Sequence, residues 1–229
     1  MSTIAIITAR GGSKRIPKKN IKVFCGKPII VYSIQAALES GVFDEVMVST
    51  DSEEIAQIAL EAGAAVPFMR SAGTSNDYAT MKDVLSEVLT CYAQEGRLFE
   101  EMCCIYPTAP FVTADKLKRA HEILMETDAE SVLPVVQFSF PPQRGLLLSE
   151  GRLHYQYPEY QAFRSQDLEP VYHDCGQFYF YRVNPDLSFN IYSYAPMIVP
   201  ELEVQDIDNE SDWEIAELKY QLMLQRKGE

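Results

Sequence analysis

Short apolar runs alternate with longer amphipathic ones through the first 137 residues, and no other feature of the chain restricts its fold as much. Strands are predicted near residues 3 to 8, 45 to 49, 65 to 68, 102 to 106 and 131 to 136, and helices near 28 to 40, 52 to 62, 79 to 95 and 113 to 126. A strand that returns through a helix runs parallel to its predecessor, so the pattern predicts a three-layer α/β fold with a mostly parallel sheet and helices on both faces. Ligands of such sheets lie beyond the carboxyl ends of the strands, where loop 8–20, Ser49-Thr50-Asp51 and loop 106–111 converge. From about 138 to 175 the helical rhythm stops. Pro, Tyr, Gln and Arg dominate there, as in Phe140-Pro141-Pro142-Gln143-Arg144, and the segment reads as strands and loops inserted into one domain spanning 1–229. Phe178-Tyr179-Phe180-Tyr181 resumes a strand pattern, and a last helix is predicted from about 210 to 226. With 47% hydrophobic residues, the chain can bury one substantial core.

Charge is spread unevenly. The formal net charge is -13, yet the first 38 residues hold no Asp or Glu and carry Arg10, Lys14, Arg15, Lys18, Lys19, Lys22 and Lys27. An acidic chain repels nucleic acid and anionic membranes, so neither is expected as a partner, whereas a local basic loop suits a small anion. These cations surround Gly11-Gly12-Ser13 just after Ile4-Ala5-Ile6-Ile7, on a loop at a strand end. Backbone N–H groups of such a loop can wrap a polyphosphate while the cations neutralise it. The spacing fits neither GxxxxGK[ST] nor GxGxxG, which argues against a Walker-type ATPase and a dinucleotide site. Arg10, Lys14 and Lys19 are candidates for stabilising charge in phosphoryl transfer; a solvated basic loop is the plainer alternative.

In Asp206-x-Asp208, extended backbone would turn both carboxylates to one side, where a cation relieves their repulsion. Mg²⁺ takes one or two carboxylates and fills its shell with water and phosphate oxygens. The competing assignment is an acidic start to the last helix, with Asp208 or Asn209 as its cap. Arg70 alone reads as a surface ion-pair partner, and Asp77 as a cap for the helix that follows. Tyr106-Pro107-Thr108-Ala109-Pro110 either presents Tyr106 to a substrate or simply reverses the chain. Arg164 and the run Tyr172-His173-Asp174-Cys175-Gly176-Gln177 mix cation, amide and imidazole, as a carboxylated, hydroxyl-rich sugar requires. Ligand contact is preferred there over acid/base work by His173 and Asp174.

The five cysteines are odd in number and show no CxxC spacing, so they are expected to be reduced thiols. No charged leader followed by a long apolar stretch is present, nor any apolar run of about 18 residues. A cytoplasmic location is therefore expected.

Together, Ala9-Arg10-Gly11-Gly12-Ser13-Lys14, Ile16-Pro17-Lys18-Lys19-Asn20, Ser49-Thr50-Asp51, Arg70, Tyr106-Pro107-Thr108-Ala109-Pro110 and Asp206-Ile207-Asp208 resemble the cytidylyltransferases that activate nonulosonic acids, the CMP-sialic acid synthetase family. The resemblance spans nearly the whole chain. The stretch 172–179 is most similar to the pseudaminic acid branch, and Tyr106 stands where Gln is common. The resemblance implies a Rossmann-like, nucleotide-diphospho-sugar transferase fold, and attack of a sugar hydroxyl on the α-phosphate of CTP, with Mg²⁺ required, to make a precursor for surface glycan or flagellin glycosylation. It implies that Arg10, Gly11, Lys14 and Lys19 hold the phosphates and Asn20 the ribose, with Thr8, Ala9, Arg70 and Thr80 in the nucleoside region. Asp206 and Asp208 would bind metal. Tyr106, Arg144, Arg164 and Tyr179, with His173, Asp174 and Gln177 as an extension, would meet the sugar, and the insertion would reach across a homodimer. Sialic acid and 3-deoxy-octulosonate enzymes, and an idle nucleotide-binding protein on the same scaffold, are the alternatives.

Overall fold

The computed structural model describes residues 1–13 and 15–227. In chain order the strands are β1 (Thr3–Thr8), β2 (Val23–Phe24), β3 (Lys27–Pro28), β4 (Glu45–Ser49), β5 (Glu101–Ile105), β6 (Ser131–Gln137), β7 (Leu146–Ser149), β8 (Arg152–Tyr155), β9 (Tyr172–Asp174), β10 (Phe178–Arg182) and β11 (Tyr194–Ile198). The helices are α1 (Ile29–Ser40), α2 (Glu53–Glu61), α3 (Met81–Gln94), α4 (Ala114–Glu126) and α5 (Glu210–Lys227).

The main sheet runs β11-β6-β10-β5-β1-β4, with β9 also pairing β6. β4, β1 and β5 are mutually parallel, as are β6 and β11, while β9 and β10 run against their neighbours. Side-chain alternation divides the core between the two faces. Ala5, Ile7, Val48, Cys103, Ile105 and Phe180 pack under α1, α2 and α4, and Ile4, Ile6, Met47, Met102 and Cys104 pack under α3. The mostly parallel, helix-covered sheet agrees with the alternation read from sequence.

Two differences have a chemical cause. The strand expected near 65–68 shrinks to one parallel bridge, Met47 to Ala65, because Pro67 has no N–H with which to continue the ladder. Conversely, β11 forms despite Pro196, because it is an edge strand and pairs on one side only. The inserted segment holds the β7–β8 hairpin and short 3-10 turns, but its last residues, β9, join the main sheet through Val135, Val136 and Gln137.

A third core cluster matters most for the site. Helix α5 lays Trp213, Ala216 and Met223 against Phe24, Ile29 and Tyr32, with the Phe24 and Trp213 rings edge-on at 5.5 Å. Ile16 and Ile207 are fully buried in the same cluster, each stabilised by about 1.5–3 kcal/mol of burial. Their burial draws the N-terminal basic loop and the C-terminal acidic pair together.

Candidate functional site

Beyond the carboxyl end of β1 lies a cavity of about 670 Å³, lined by the basic loop, the 74–80 loop, Arg70 and the Tyr106-Pro107-Thr108 turn. The loop after β1 is fixed before any ligand arrives. Ala9 is fully buried and donates its N–H to Ser49 O at 2.9 Å, and the Gly11 N–H is held by Asp51 Oδ1 at 2.7 Å. A Cβ on Gly11 would come within 3.2 Å of Ser52 Cβ, whereas one on Gly12 would meet nothing within 4 Å. Asn20 is buried and gives its amide N–H to Arg10 O at 2.8 Å, so its Oδ1 is the acceptor that remains.

The cations converge from several elements. Arg10 Nη1 pairs with Asp77 Oδ1 at 2.8 Å on the opposite wall of the cavity. Lys19 Nζ donates to Ile207 O at 2.7 Å and stands 3.9 Å from Asp208 Oδ1. Burial lowers the pKa of Lys19, and Asp208 and Asp206 oppose that shift. Arg15 pairs with Asp208 Oδ2 at 2.6 Å. Arg70 is buried, not superficial; its Nε and Nη2 fork onto Ser49 Oγ and Ser49 O at 3.0 and 2.6 Å. Burial pulls its pKa down while Asp51 and Glu87 pull it up, and a guanidinium remains charged through both.

The cap assignments change. Thr80, not Asp77, caps α3, in a capping box with Asp83 that brings the helix N-terminus to the cavity wall. At α5 the cap is Asn209, whose Oδ1 accepts Asp212 N–H at 3.0 Å; Asp212 Oδ2 in return takes the N–H groups of Asp208 and Asn209 at 2.9 and 3.0 Å. Neither the Asp206 nor the Asp208 carboxylate is therefore needed as a cap. They flank Ile207, which is buried whereas neither of them is. Among the described residues, Asp206 has no cation within ion-pair distance. Mg²⁺ asks few protein ligands, so Asp206 together with Asp208, once Asp208 is released from Arg15, would suffice to hold it. Among the described residues no cluster of three or more His, Cys, Asp or Glu is poised for a metal.

Of the residues singled out from sequence, Thr8, Arg10, Lys19, Asn20, Arg70, Thr80 and Tyr106 all line this cavity. Lys14 lies outside the described residues. Tyr179 stacks edge-on to Tyr106 at 5.5 Å and donates its hydroxyl to Asp174 Oδ2 at 2.7 Å, and buried Gln177 donates to Glu203 O at 2.6 Å. Of the residues expected to meet the sugar, only Tyr106 lines the cavity; Arg144, Arg164, His173, Asp174, Gln177 and Tyr179 are not among its lining residues. Arg144 meets Ser165 Oγ, Arg164 forks onto Asp167, and His173 packs on the Phe138 ring. The sequence reading gave no site role to Asp77, Arg15, Thr74 or Asn76. Arg15 was visible in the basic run, whereas nothing local marks Asp77 as the Arg10 partner 67 positions away.

The family model described as "Cytidylyltransferase" matches residues 4–193. A pseudaminic acid cytidylyltransferase of Campylobacter jejuni subsp. jejuni is 40% identical over 97% of both chains. A CMP-N,N'-diacetyllegionaminic acid synthase of Legionella pneumophila subsp. pneumophila is 33% identical over 95% of both. In fold, the structure of CMP:2-keto-3-deoxy-manno-octonic acid synthetase complexed with CTP matches with a TM-score of 0.68 over 99% of this chain and 100% of that one, at 17% identity. The 4-diphosphocytidyl-2C-methyl-D-erythritol synthase of Anaerococcus prevotii matches with a TM-score of 0.65 over 96% and 98%, at 12% identity.

Proposed function

The chain belongs to the cytidylyltransferase family, and from that premise we propose that it joins CTP to pseudaminic acid, giving CMP-pseudaminic acid and pyrophosphate. The observation that carries the reading is a cavity with opposed charges: Arg10, Arg15, Lys19 and Arg70 line it, the Asp208 carboxylate meets Arg15 and Lys19 from behind, and the negative charge of Asp206 also acts on Lys19. A triphosphate needs cations on one side, and a carboxylate pair needs a cation beside it. A magnesium nucleotide satisfies both.

In the reaction the sugar hydroxyl gives up its proton to water as its oxygen bonds to the α-phosphorus, the bond from that phosphorus to the bridging oxygen breaks, and pyrophosphate leaves with the displaced electron pair. Positioning and charge neutralisation supply most of the catalysis in phosphoryl transfer. Arg10 and Lys19, with Lys14 by family position, hold the phosphates, and pre-bonded Gly11 and Asn20 keep their loop from having to reorganise. Thr8, Arg70 and Thr80 shape the nucleoside end, with buried Ala9 anchoring the loop behind them, and Asn20 Oδ1 is suited to accept a ribose hydroxyl. Asp206 and Asp208 would hold Mg²⁺, which adds positive charge next to the phosphates. Tyr106, Gln177 and Tyr179 form the sugar side.

A homodimer completes the site in this reading. Phe140, Leu147, Leu148, Leu153 and Phe163 of the inserted segment are exposed on the single chain, a surface suited to a second copy that would carry Arg144, Arg164 and His173 to the partner's sugar. A cytoplasmic location is supported by five free thiols. Replacing Asp208 by Asn is expected to lower turnover by at least about a hundredfold with an unchanged melting temperature. Near-normal pyrophosphate release at saturating Mg²⁺ overturns the metal assignment.

A further inference from the structure

One residue of the cavity wall has the wrong charge for a polyanion. Among the described residues, Asp77 is the one carboxylate lining the cavity, where it stands with Arg10, Arg15, Lys19 and Arg70. Its Oδ1 takes Arg10 Nη1 at 2.8 Å, so a phosphate arriving at Arg10 meets a guanidinium already paired and a like charge beside it.

Other side chains supply the helix cap and fold the loop. Thr80 caps α3 in its box with Asp83. Asn76 Oδ1 accepts the N–H groups of Tyr78 and Ala79 at 2.8 and 3.0 Å, and Asn76 Nδ2 donates to Gly73 O at 2.7 Å. The main chain at Asp77 is therefore held from both sides. The Arg10 main chain is held as well, because its carbonyl accepts from Asn20 at 2.8 Å and the preceding Ala9 N–H is bonded to Ser49 O. What remains movable is the two side chains, 41% and 47% exposed. An ion pair that exposed is weak, whereas a guanidinium can fork onto a phosphate with two charge-assisted bonds. Arg10 can thus exchange one anion for the other without the loops opening.

We infer that Asp77 is a counter-anion built into the nucleotide site: it occupies Arg10 until a phosphate takes its place, and reclaims Arg10 as pyrophosphate leaves. The inference rests on the CTP-binding reading above and adds how the site avoids holding a polyanion too tightly. Asp77 then lowers the affinity for CTP and for pyrophosphate alike, acting through Arg10.

Calorimetry with CTP and Mg²⁺, and with pyrophosphate and Mg²⁺, both without sugar acid, compares wild type, Asp77→Asn, Arg10→Ala and the double variant. Asp77→Asn is expected to tighten both ligands about fivefold, the equivalent of about 1 kcal/mol, and to strengthen product inhibition by pyrophosphate in step. A residue that only braced the loop or oriented Arg10 would weaken binding when replaced. In the Arg10→Ala background the same replacement is expected to shift affinity by less than about twofold, because no guanidinium remains to be contested. Unchanged or weaker CTP binding in Asp77→Asn overturns the inference. Equal tightening in the Arg10→Ala background also overturns it, since Asp77 would then repel the ligand without acting through Arg10. If Asp77→Asn does not fold, Asp77→Ser removes the same charge and is judged by the same outcomes. Wild type that binds neither CTP nor pyrophosphate overturns the nucleotide reading and the inference with it; wild type that binds CTP as tightly as Asp77→Asn overturns the inference alone.

Discussion

Arg15→Ala should move metal binding and nucleotide binding in opposite directions. In the free protein the Arg15 guanidinium sits 2.6 Å from Asp208 Oδ2, where it occupies a carboxylate that the account assigns to Mg²⁺. In a water-like dielectric a pair at that distance is worth about 1.5 kcal/mol. The side chains are 69% and 39% exposed, and solvent screening reduces the figure to about 1 kcal/mol. Removing a competitor of that strength tightens divalent binding to the free protein by about fivefold. Arg15 also lines the cavity, so its loss should weaken CTP binding in EDTA by about threefold to tenfold. Mn²⁺ titration followed by electron paramagnetic resonance reads the first effect and calorimetry the second. Mn²⁺ affinity that falls or stays constant in Arg15→Ala would show that Asp208 is not the metal ligand or that Arg15 does not compete for it.

The 71–74 turn is tied to α3 through Glu87, which accepts the Ser71 N–H at 2.8 Å and the Thr74 hydroxyl. Burial pushes the Glu87 carboxyl up, but these hydrogen bonds and nearby Arg70 outweigh it and hold the pKa below the ordinary value. A depressed carboxylate stabilises the fold above its unfolded pKa and loses that contribution as pH falls through the folded one. The melting-temperature gap between wild type and Glu87→Gln should therefore be constant from pH 8 to about pH 5 and narrow below about pH 4; a gap that widens with acid contradicts the assignment. For the inserted hairpin, light scattering should give twice the 25.9 kDa chain mass, and a Leu148→Glu, Leu153→Glu variant should run as a monomer that binds CTP but turns over at least about tenfold more slowly. A fully active monomer would rule out completion of the site by a partner.

The strands and helices of the nucleotide half were legible because they rest on local signals: alternating apolar residues in β1, β4 and β5, and long amphipathic runs in α1, α3 and α4. Misreadings arose where one residue outweighed the pattern, as Pro67 did in stopping a ladder, or where position in the sheet did, as at the β11 edge, which tolerates Pro196. Capping was ambiguous in sequence because Asp77 and Thr80, like Asp208 and Asn209, are equally good caps by type, and only backbone geometry selects between them. Arg70 looked superficial because the Ser49 carbonyl and hydroxyl that accept its guanidinium stand 21 positions away. The basic loop and Asp206-x-Asp208 were each visible. That they meet depends on Ile16 and Ile207 sharing one apolar cluster, a contact no periodicity announces.

The central claim, that the cavity activates a nonulosonic acid with CTP, is tested most directly by pyrophosphate release from CTP and Mg²⁺ with a panel of sugar acids: pseudaminic acid, N-acetylneuraminic acid and 3-deoxy-octulosonate. Robust release is expected with pseudaminic acid and little with the other two. Release with N-acetylneuraminic acid or 3-deoxy-octulosonate but none with pseudaminic acid would contradict the substrate assignment, and CTP binding without release from any of the three would contradict the catalytic one.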